Sequence, residues 1–348
     1  MKKYILVLIL SGCSAVEGVP TTVETPTTNG DAASTTTSAP VPAAPTTIET
    51  LPFPSTTIPD TALQFDAIGG PTLVDSDRRF MNPGWVVEHG GRIHMFANTF
   101  DGYPTNVAVV RHVSDDGREW EGGADVLWET RDVPWDTVST LALGGYVDGD
   151  GTWNMYFQTF DGVEDPAVIG RATAPDPEGP WTVDPDPVLT PGPPGTFDDL
   201  RVMRPSVVVE DAVVYLFYVG VNSERRSAIG LATSTDGRTF DRVTEPVLFP
   251  ELGWEGSRLD RPEVILVDGL WWMLYEADGR PLGAARSADG VTWERVDDRR
   301  VFDRGIQLDG LFYQGELAVI DGRPTFYLEV GTGSETTVGG WTVEFPPS

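Results

Sequence analysis

Cysteine is almost absent. Cys13 is the single one in 348 residues, so no intrachain disulfide supports the fold. Lysine is confined to Lys2 and Lys3, and every later basic residue is arginine. With 24 Lys+Arg against 53 Asp+Glu the net charge is −29, a field that disfavours nucleic acid and anionic lipid surfaces. Such a charge fits an exported or salt-adapted protein and says nothing about substrate. Histidine occurs only as His89, His94 and His112, a spacing that matches no zinc motif. No Gly-rich nucleotide loop and no Ser/His/Asp signature is present. No cofactor is therefore expected. A structural Ca²⁺ has room at Asp148-Gly149-Asp150 or in a central channel, but that loop lacks an EF-hand pattern.

What the sequence does have is a repeat. Residues 201–240 read RVMRPSVVVEDAVVYLFYVGVNSERRSAIGLATSTDGRTF. Short apolar runs at 207–209, 213–219 and 229–233 are bounded by Asp and Gly. They are strands by length and by β-branched content, and none is long enough to suggest a helix. The frame R-x-x-R-P-x-V returns at Arg258/Arg261/Pro262, and looser copies begin at 79, 138 and 311. Closing aromatics Trp120, Trp181, Phe240 and Trp293 recur every ~53–61 residues, the period of four-stranded radial blades. The expected fold is all-β, a five-bladed β-propeller with blades at 79–130, 135–192, 198–250, 256–305 and 308–345. The last blade shows three strands, at 314–320, 324–330 and 336–345. The run Gly70–Val74 resembles the P-V-L segments after other blades, so the N-terminal segment is expected to supply the missing outer strand and remove exposed edges.

The chain opens MKKYILVLILSGC. Two lysines precede an apolar run too short to span a bilayer. Leu10-Ser11-Gly12-Cys13 resembles the bacterial lipobox, which implies a signal peptide over 1–12, cleavage before Cys13 and acylation of that residue. Residues 13–60 are rich in Thr, Pro, Ala and Ser. They bury too little to offset chain entropy and are expected to form a disordered tether. The expected product is a monomeric, extracytoplasmic bacterial lipoprotein that touches the membrane only through its lipid, with the propeller over 61–348.

The blade pattern P-x-V … Y-x-x-Y … I-G-x-A-T-S-x-D-G-x-x-[WF] resembles the five-bladed glycoside hydrolases. These are the arabinanase/xylosidase family 43, the invertase/levansucrase families including family 32, and the related mannoside phosphorylases of family 130. The resemblance covers nearly all of 63–345 and implies a carbohydrate partner. The Ser-x-Asp-Gly turns at Asp116, Asp236 and Asp289 depart from the sialidase Asp-box, which argues against a six-bladed sialidase. They are expected to be turn chemistry on the face away from the pocket.

On the pocket face the topology gathers Asn82, Thr140, Arg204, Arg261 and Gln314 at the starts of inner strands, beside Asp260, Glu263, Tyr313 and Glu316. Asp101, Asp161 and Asp278 fall on turns, and Asp198, Asp199 and Trp254 on blade connections. Glycoside cleavage needs one protonated and one ionised carboxyl. The family resemblance implies an Asp base where this chain has Asn82, and a second Asp where it has Arg204. Asp260, two residues before Pro262, is the carboxyl left at a family position and is the expected acid, with Glu263 and Glu316 as further catalytic candidates. Asn82, Asp101, Asp161, Arg204, Trp254, Arg261 and Tyr313 are the expected sugar-binding residues. The expected activity is a glycosidase. The alternative is a non-catalytic glycan binder on the same scaffold, because neither Asn82 nor Arg204 accepts a proton. Arg201, Arg204, Arg258 and Arg261 converge on one sector. They either pair with Asp198, Asp199, Asp260 and Glu263 or hold an anionic sugar or phosphate.

Overall fold

A computed structural model describes residues 63–68, 78, 80–160, 166–278, 281–301, 311–331 and 336–346. All belong to one compact unit, Ile58–Ser348. Cys13, the tether and the Gly70–Val74 run lie outside the described residues. The first strand is β1 (Gln64–Ala67). Blade one contains β2 (Phe80–Asn82), β3 (Val86–His89), β4 (Arg92–Phe100), β5 (Ala108–Ser114) and β6 (Glu121–Glu129). Blade two contains β7 (Ser139–Val147), β8 (Trp153–Phe160), β9 (Ile169–Ala174) and β10 (Thr182–Val183). Blade three contains β11 (Arg201–Glu210), β12 (Val213–Val221), β13 (Ser227–Ser234) and β14 (Asp241–Arg242). Blade four contains β15 (Leu259–Val267), β16 (Leu270–Ala277), β17 (Leu282–Ser287) and β18 (Trp293–Arg295), and blade five β19 (Leu311–Ile320), β20 (Arg323–Gly331) and β21 (Thr336–Glu344).

Each blade is an antiparallel sheet, and the fold is the expected five-bladed propeller. β1 supplies the outer strand of blade five, with Gln64 opposite Glu344 and Ala67 opposite Trp341. Closure from the N-terminal side therefore holds, through Gln64–Ala67. Leu63 and Phe65 carry that strand into the core, which the P-V-L comparison overlooked.

The apolar faces of adjacent blades meet in five seams. Trp85, Phe96, Trp153 and Phe157 fill the one between blades one and two. Tyr156, Leu216 and Tyr218 fill the next. Phe217, Trp271 and Met273, Trp272, Leu274 and Phe326, and Met95, Val110 and Tyr327 fill the rest. Buried phenols tie the seams: Tyr156 donates to Gly237 O at 2.6 Å and Tyr327 to Gly117 O at 3.1 Å. Both acceptors lie in Ser-x-Asp-Gly turns. In the blade-three turn Asp236 Oδ1 accepts from the backbone N–H groups of Arg238 and Thr239, while Ser234 Oγ accepts from Gly237. Those N–H groups hold the Asp236 carboxyl down at about 2, and the same causes act on Asp289, also at about 2. These aspartates close their turns, as expected. Asp148 and Asp150 likewise accept N–H bonds within their own turn.

Candidate functional site

The five inner strands β3, β7, β11, β15 and β19 surround a channel but do not pair with one another, so their N–H groups need other acceptors. Side chains supply them. Ser206, Glu263 and Glu316 hold the same place on blades three, four and five. Ser206 Oγ accepts from Val264 N at 3.0 Å, Glu263 Oε2 from Leu317 N at 3.4 Å, and Glu316 Oε1 from Val86 N at 3.4 Å. On blade one Asn98 brackets the Ala142 peptide, donating to its O and accepting from its N, both at 2.8 Å. Gln158 on blade two accepts from Arg204 N at 3.0 Å. The channel wall is thus stitched by polar side chains reaching to the next blade.

Glu263 and Glu316 also hydrogen-bond each other. Two carboxyls in contact need a proton between them. Burial pushes Glu263 up to about 8. Burial, then the facing Glu263 carboxyl, pushes Glu316 well above the usual carboxylate range. The pair is therefore a shared-proton clamp across the seam of blades four and five.

The inner strands bulge where they enter the pocket, between Met203 and Ser206, between Asp260 and Glu263, and between Phe312 and Gly315. At two of these bulges stand Arg204 (φ 56°) and Arg261 (φ 46°). Left-handed backbone is unusual for a bulky residue, and the following prolines disfavour helical geometry further. Such strain persists where the surroundings over-determine it, often at functional sites. Here it aims two guanidinium groups into the pocket floor, only 4% and 6% exposed. Burial, then the neighbouring Arg261, brings Arg204 down to about 10. Arg261 is raised: burial opposes it, and Glu276 and Asp260 outweigh that cost. Arg261 Nη1 meets Glu276 Oε2 at 2.6 Å.

Asp260 lies between the two arginines. Its Oδ1 accepts from Arg261 N at 2.8 Å and stands 3.6 Å from Arg204 Nε. Its side chain keeps 30% exposure. Of the three catalytic candidates, it alone faces solvent; Glu263 and Glu316 are buried in the channel wall. Asn82 is buried with its Oδ1 accepting from Asn98 Nδ2 at 3.0 Å, and it reads as part of the wall.

The other expected residues divide. Thr140 is buried against Thr130, their hydroxyls 2.9 Å apart. Trp254 stacks on Tyr275 with ring centres 6.3 Å apart and donates to Asp298 O at 2.8 Å, so it packs a seam instead of lining the pocket. Asp198 accepts from Tyr218 Oη at 2.9 Å and faces Arg242 Nε at 3.2 Å, so its arginine is not one of the four. Asp199 caps Gly195 and Ser223. Arg258 faces Asp278 at 3.7 Å. Asp101 is exposed on its turn. Asp161 and the side chains of Tyr313 and Gln314 lie outside the described residues.

Sequence reasoning missed Asn98, Gln158, Glu276 and Glu329. The signal was present: each is a polar residue at one equivalent place near the end of its blade's second strand, in FANTF, YFQTF, LYEAD and YLEVG. Tyr103 was missed too. It packs on Phe100 and Phe160 at ring-centre distances of 6.0 and 5.3 Å and is an electrostatic neighbour of Arg204.

No protein-family model matches the chain. A 1,2-beta-oligomannan phosphorylase of Thermoanaerobacter sp. is 26% identical over 122 residues, 31% of this chain and 41% of the relative. The match thus spans about two fifths of that relative's length. Among solved structures, a family 117 glycoside hydrolase of Zobellia galactanivorans superposes with a TM-score of 0.60 at 17% identity, covering 82% of this chain and 92% of the other. A thermostable family-43 glycoside hydrolase superposes at 0.59 and 18% identity, covering 76% and 88%. The chain has the fold of the five-bladed β-propeller glycoside hydrolases.

Proposed function

We propose that this protein is a carbohydrate-active enzyme that cleaves a glycosidic bond while an oxyanion rests on Arg204 and Arg261. The observation that carries this reading is the buried pair of guanidiniums, held on strained bulges at equivalent places of adjacent blades beside the half-buried carboxylate Asp260. A guanidinium presents five N–H groups, so it can serve a protein carboxylate and a ligand oxygen together. Carboxylate, sulfate and phosphate share the geometry that this fork recognises. The anion belongs to the glycan as a uronate or sulfate, or it is inorganic phosphate. Phosphate would act as nucleophile and remove the need for a carboxylate base, the role that Asn82 cannot fill. The matched relative is named a phosphorylase, which favours that arm. Asp260, the partly exposed carboxyl beside this anion site, is the candidate proton donor to the leaving group. The reading of a glycan binder without turnover keeps one support, namely that Glu263 and Glu316 are buried in the channel wall.

The test is calorimetric binding of matched neutral and anionic oligosaccharides, followed by cleavage assays with and without phosphate. Arg204→Lys and Arg261→Lys are expected to weaken binding by ~1.5–3 kcal/mol through loss of a charge-assisted bond. Asp260→Asn should lower turnover by ~10²-fold or more with binding retained. Equal affinity for neutral and anionic sugars, unmoved by either lysine variant and by phosphate, overturns the anion site. Binding without cleavage in every arm leaves the binder reading.

A further inference from the structure

The pocket face carries a row of aromatic rings that belongs to none of the five seams. Phe80 stacks on Phe100 with ring centres 5.6 Å apart. Tyr103 packs on Phe100, and Phe160 packs on Tyr103. Phe100 is buried among Val107, Leu141 and Leu143, and packing explains that ring. Phe80, Tyr103 and Phe160 are only half-buried. Tyr103 stands on the loop from β4 to β5, at the pocket mouth. That loop is fixed on two sides. Thr105 O accepts from Ser139 Oγ at 2.7 Å, which ties it to the start of β7. Val107 N donates to Thr130 Oγ1 at 3.0 Å, and Asn106 Oδ1 accepts from Arg131 N at 3.1 Å. A half-buried ring on a backbone held this firmly is a preorganised surface.

Two observations place the ring beside Arg204. Gln158 Oε1 accepts from Arg204 N at 3.0 Å. Phe160 lies two residues further along β8 and therefore on the same face of it, and its ring centre is 5.3 Å from that of Tyr103. Tyr103 also acts electrostatically on Arg204. The two side chains ask for different chemistry. A guanidinium recognises an oxyanion. The negative face of an aromatic ring attracts weakly positive C–H groups, and a pyranose presents such groups on one face.

We propose that Tyr103 is the platform on which the sugar lies, a specificity-determining residue that takes the C–H face of a pyranose while the oxyanion reaches Arg204. This rests on the carbohydrate reading above and adds the direction of the sugar. Its apolar face turns toward Tyr103 and Phe160, and its charged edge toward blade three. A free oxyanion needs Arg204 and gains nothing from Tyr103.

The experiment is titration calorimetry of the intact protein with trigalacturonate, with β-1,2-mannotriose in phosphate, and with inorganic phosphate alone. Tyr103→Leu keeps the apolar contact with Phe100 and removes the aromatic face. It is expected to weaken the oligosaccharide by about tenfold and to leave phosphate affinity and melting temperature unchanged. Tyr103→Phe is expected to recover the sugar affinity, because the ring and not the hydroxyl makes the platform. Sugar affinity unmoved by Tyr103→Leu overturns the proposal, as does an equal loss in Tyr103→Phe. A fall in melting temperature and phosphate affinity along with sugar affinity reduces Tyr103 to a packing residue. The anion reading fails separately, when Arg204→Lys leaves phosphate and trigalacturonate binding unchanged. No binding of either oligosaccharide to the wild type overturns the platform, and phosphate binding that responds to Arg204→Lys then leaves the anion site standing without it.

Discussion

Glu316→Gln should change how stability depends on pH. In the folded protein burial pushes Glu263 up to about 8 and Glu316 well above the ordinary range, whereas an unfolded glutamate releases its proton near ~4.3. The folded state thus keeps a proton that the unfolded chain has lost. Its stabilisation is complete below the unfolded pKa and is lost as pH rises toward 8. His94 works in the opposite direction. Burial, then Arg111, holds it down at about 4, so below the ordinary histidine pKa the unfolded chain takes up a proton that folded His94 refuses. That stabilisation is lost as pH falls. The two slopes oppose each other between about pH 4 and 6.5, and the carboxyl pair is cleanly visible between about 6.5 and 8. Over those ~1.5 pH units each retained proton is worth about 2 kcal/mol, or ~4 °C in melting temperature for a domain of this size. The amide introduced by the substitution would donate an N–H to Glu263 in place of the acid proton, so the variant should lose most of that slope while the wild type keeps it. Denaturant unfolding at half-unit steps from pH 6 to 9 measures it. Parallel wild-type and variant curves across pH 6.5–8 would refute the shared proton.

Closure at blade five predicts a sharp boundary for truncation. Removing residues 1–60 should leave the melting temperature nearly unchanged, whereas removing them through Ala67 strips β1 with Leu63 and Phe65 and should cost about 3–5 kcal/mol; equal stability of the two would show that β1 does not close the ring. Tyr156→Phe deletes the 2.6 Å bond to Gly237 O and leaves that carbonyl buried, for a loss of about 1–3 kcal/mol in urea unfolding. Anchoring through Cys13 is a proposal that rests on the lipobox. Cys13→Ser is expected to move the protein from the membrane to the aqueous fraction, and an unmodified mass for the membrane-bound wild type would refute it.

The repeat alone settled the architecture. Strand-length apolar runs, Asp-Gly turns and a recurring closing aromatic leave few ways to bury every face except radial blades, so the five blades and the role of Asp236 were legible from local chemistry. The sector was legible too, because R-x-x-R-P marks equivalent bulges and brings Arg204, Arg261 and Asp260 together. What sequence could not decide was how the acids divide their work. Glu263 and Asp260 are three residues apart, yet one is sealed in the channel wall against Glu316 while the other keeps contact with solvent. That difference depends on the bulge between them, which rotates the strand, and on Glu316 and Leu317 arriving from another blade, Leu317 lying 54 positions from Glu263. Trp254 was likewise assigned to the pocket by its connection and to a seam by its stacking on Tyr275. Local pattern fixes which residues form a strand and which face they share. The protonation, exposure and partners of a charged group depend on what the ring's closure brings against it, and that is a property of the tertiary structure alone.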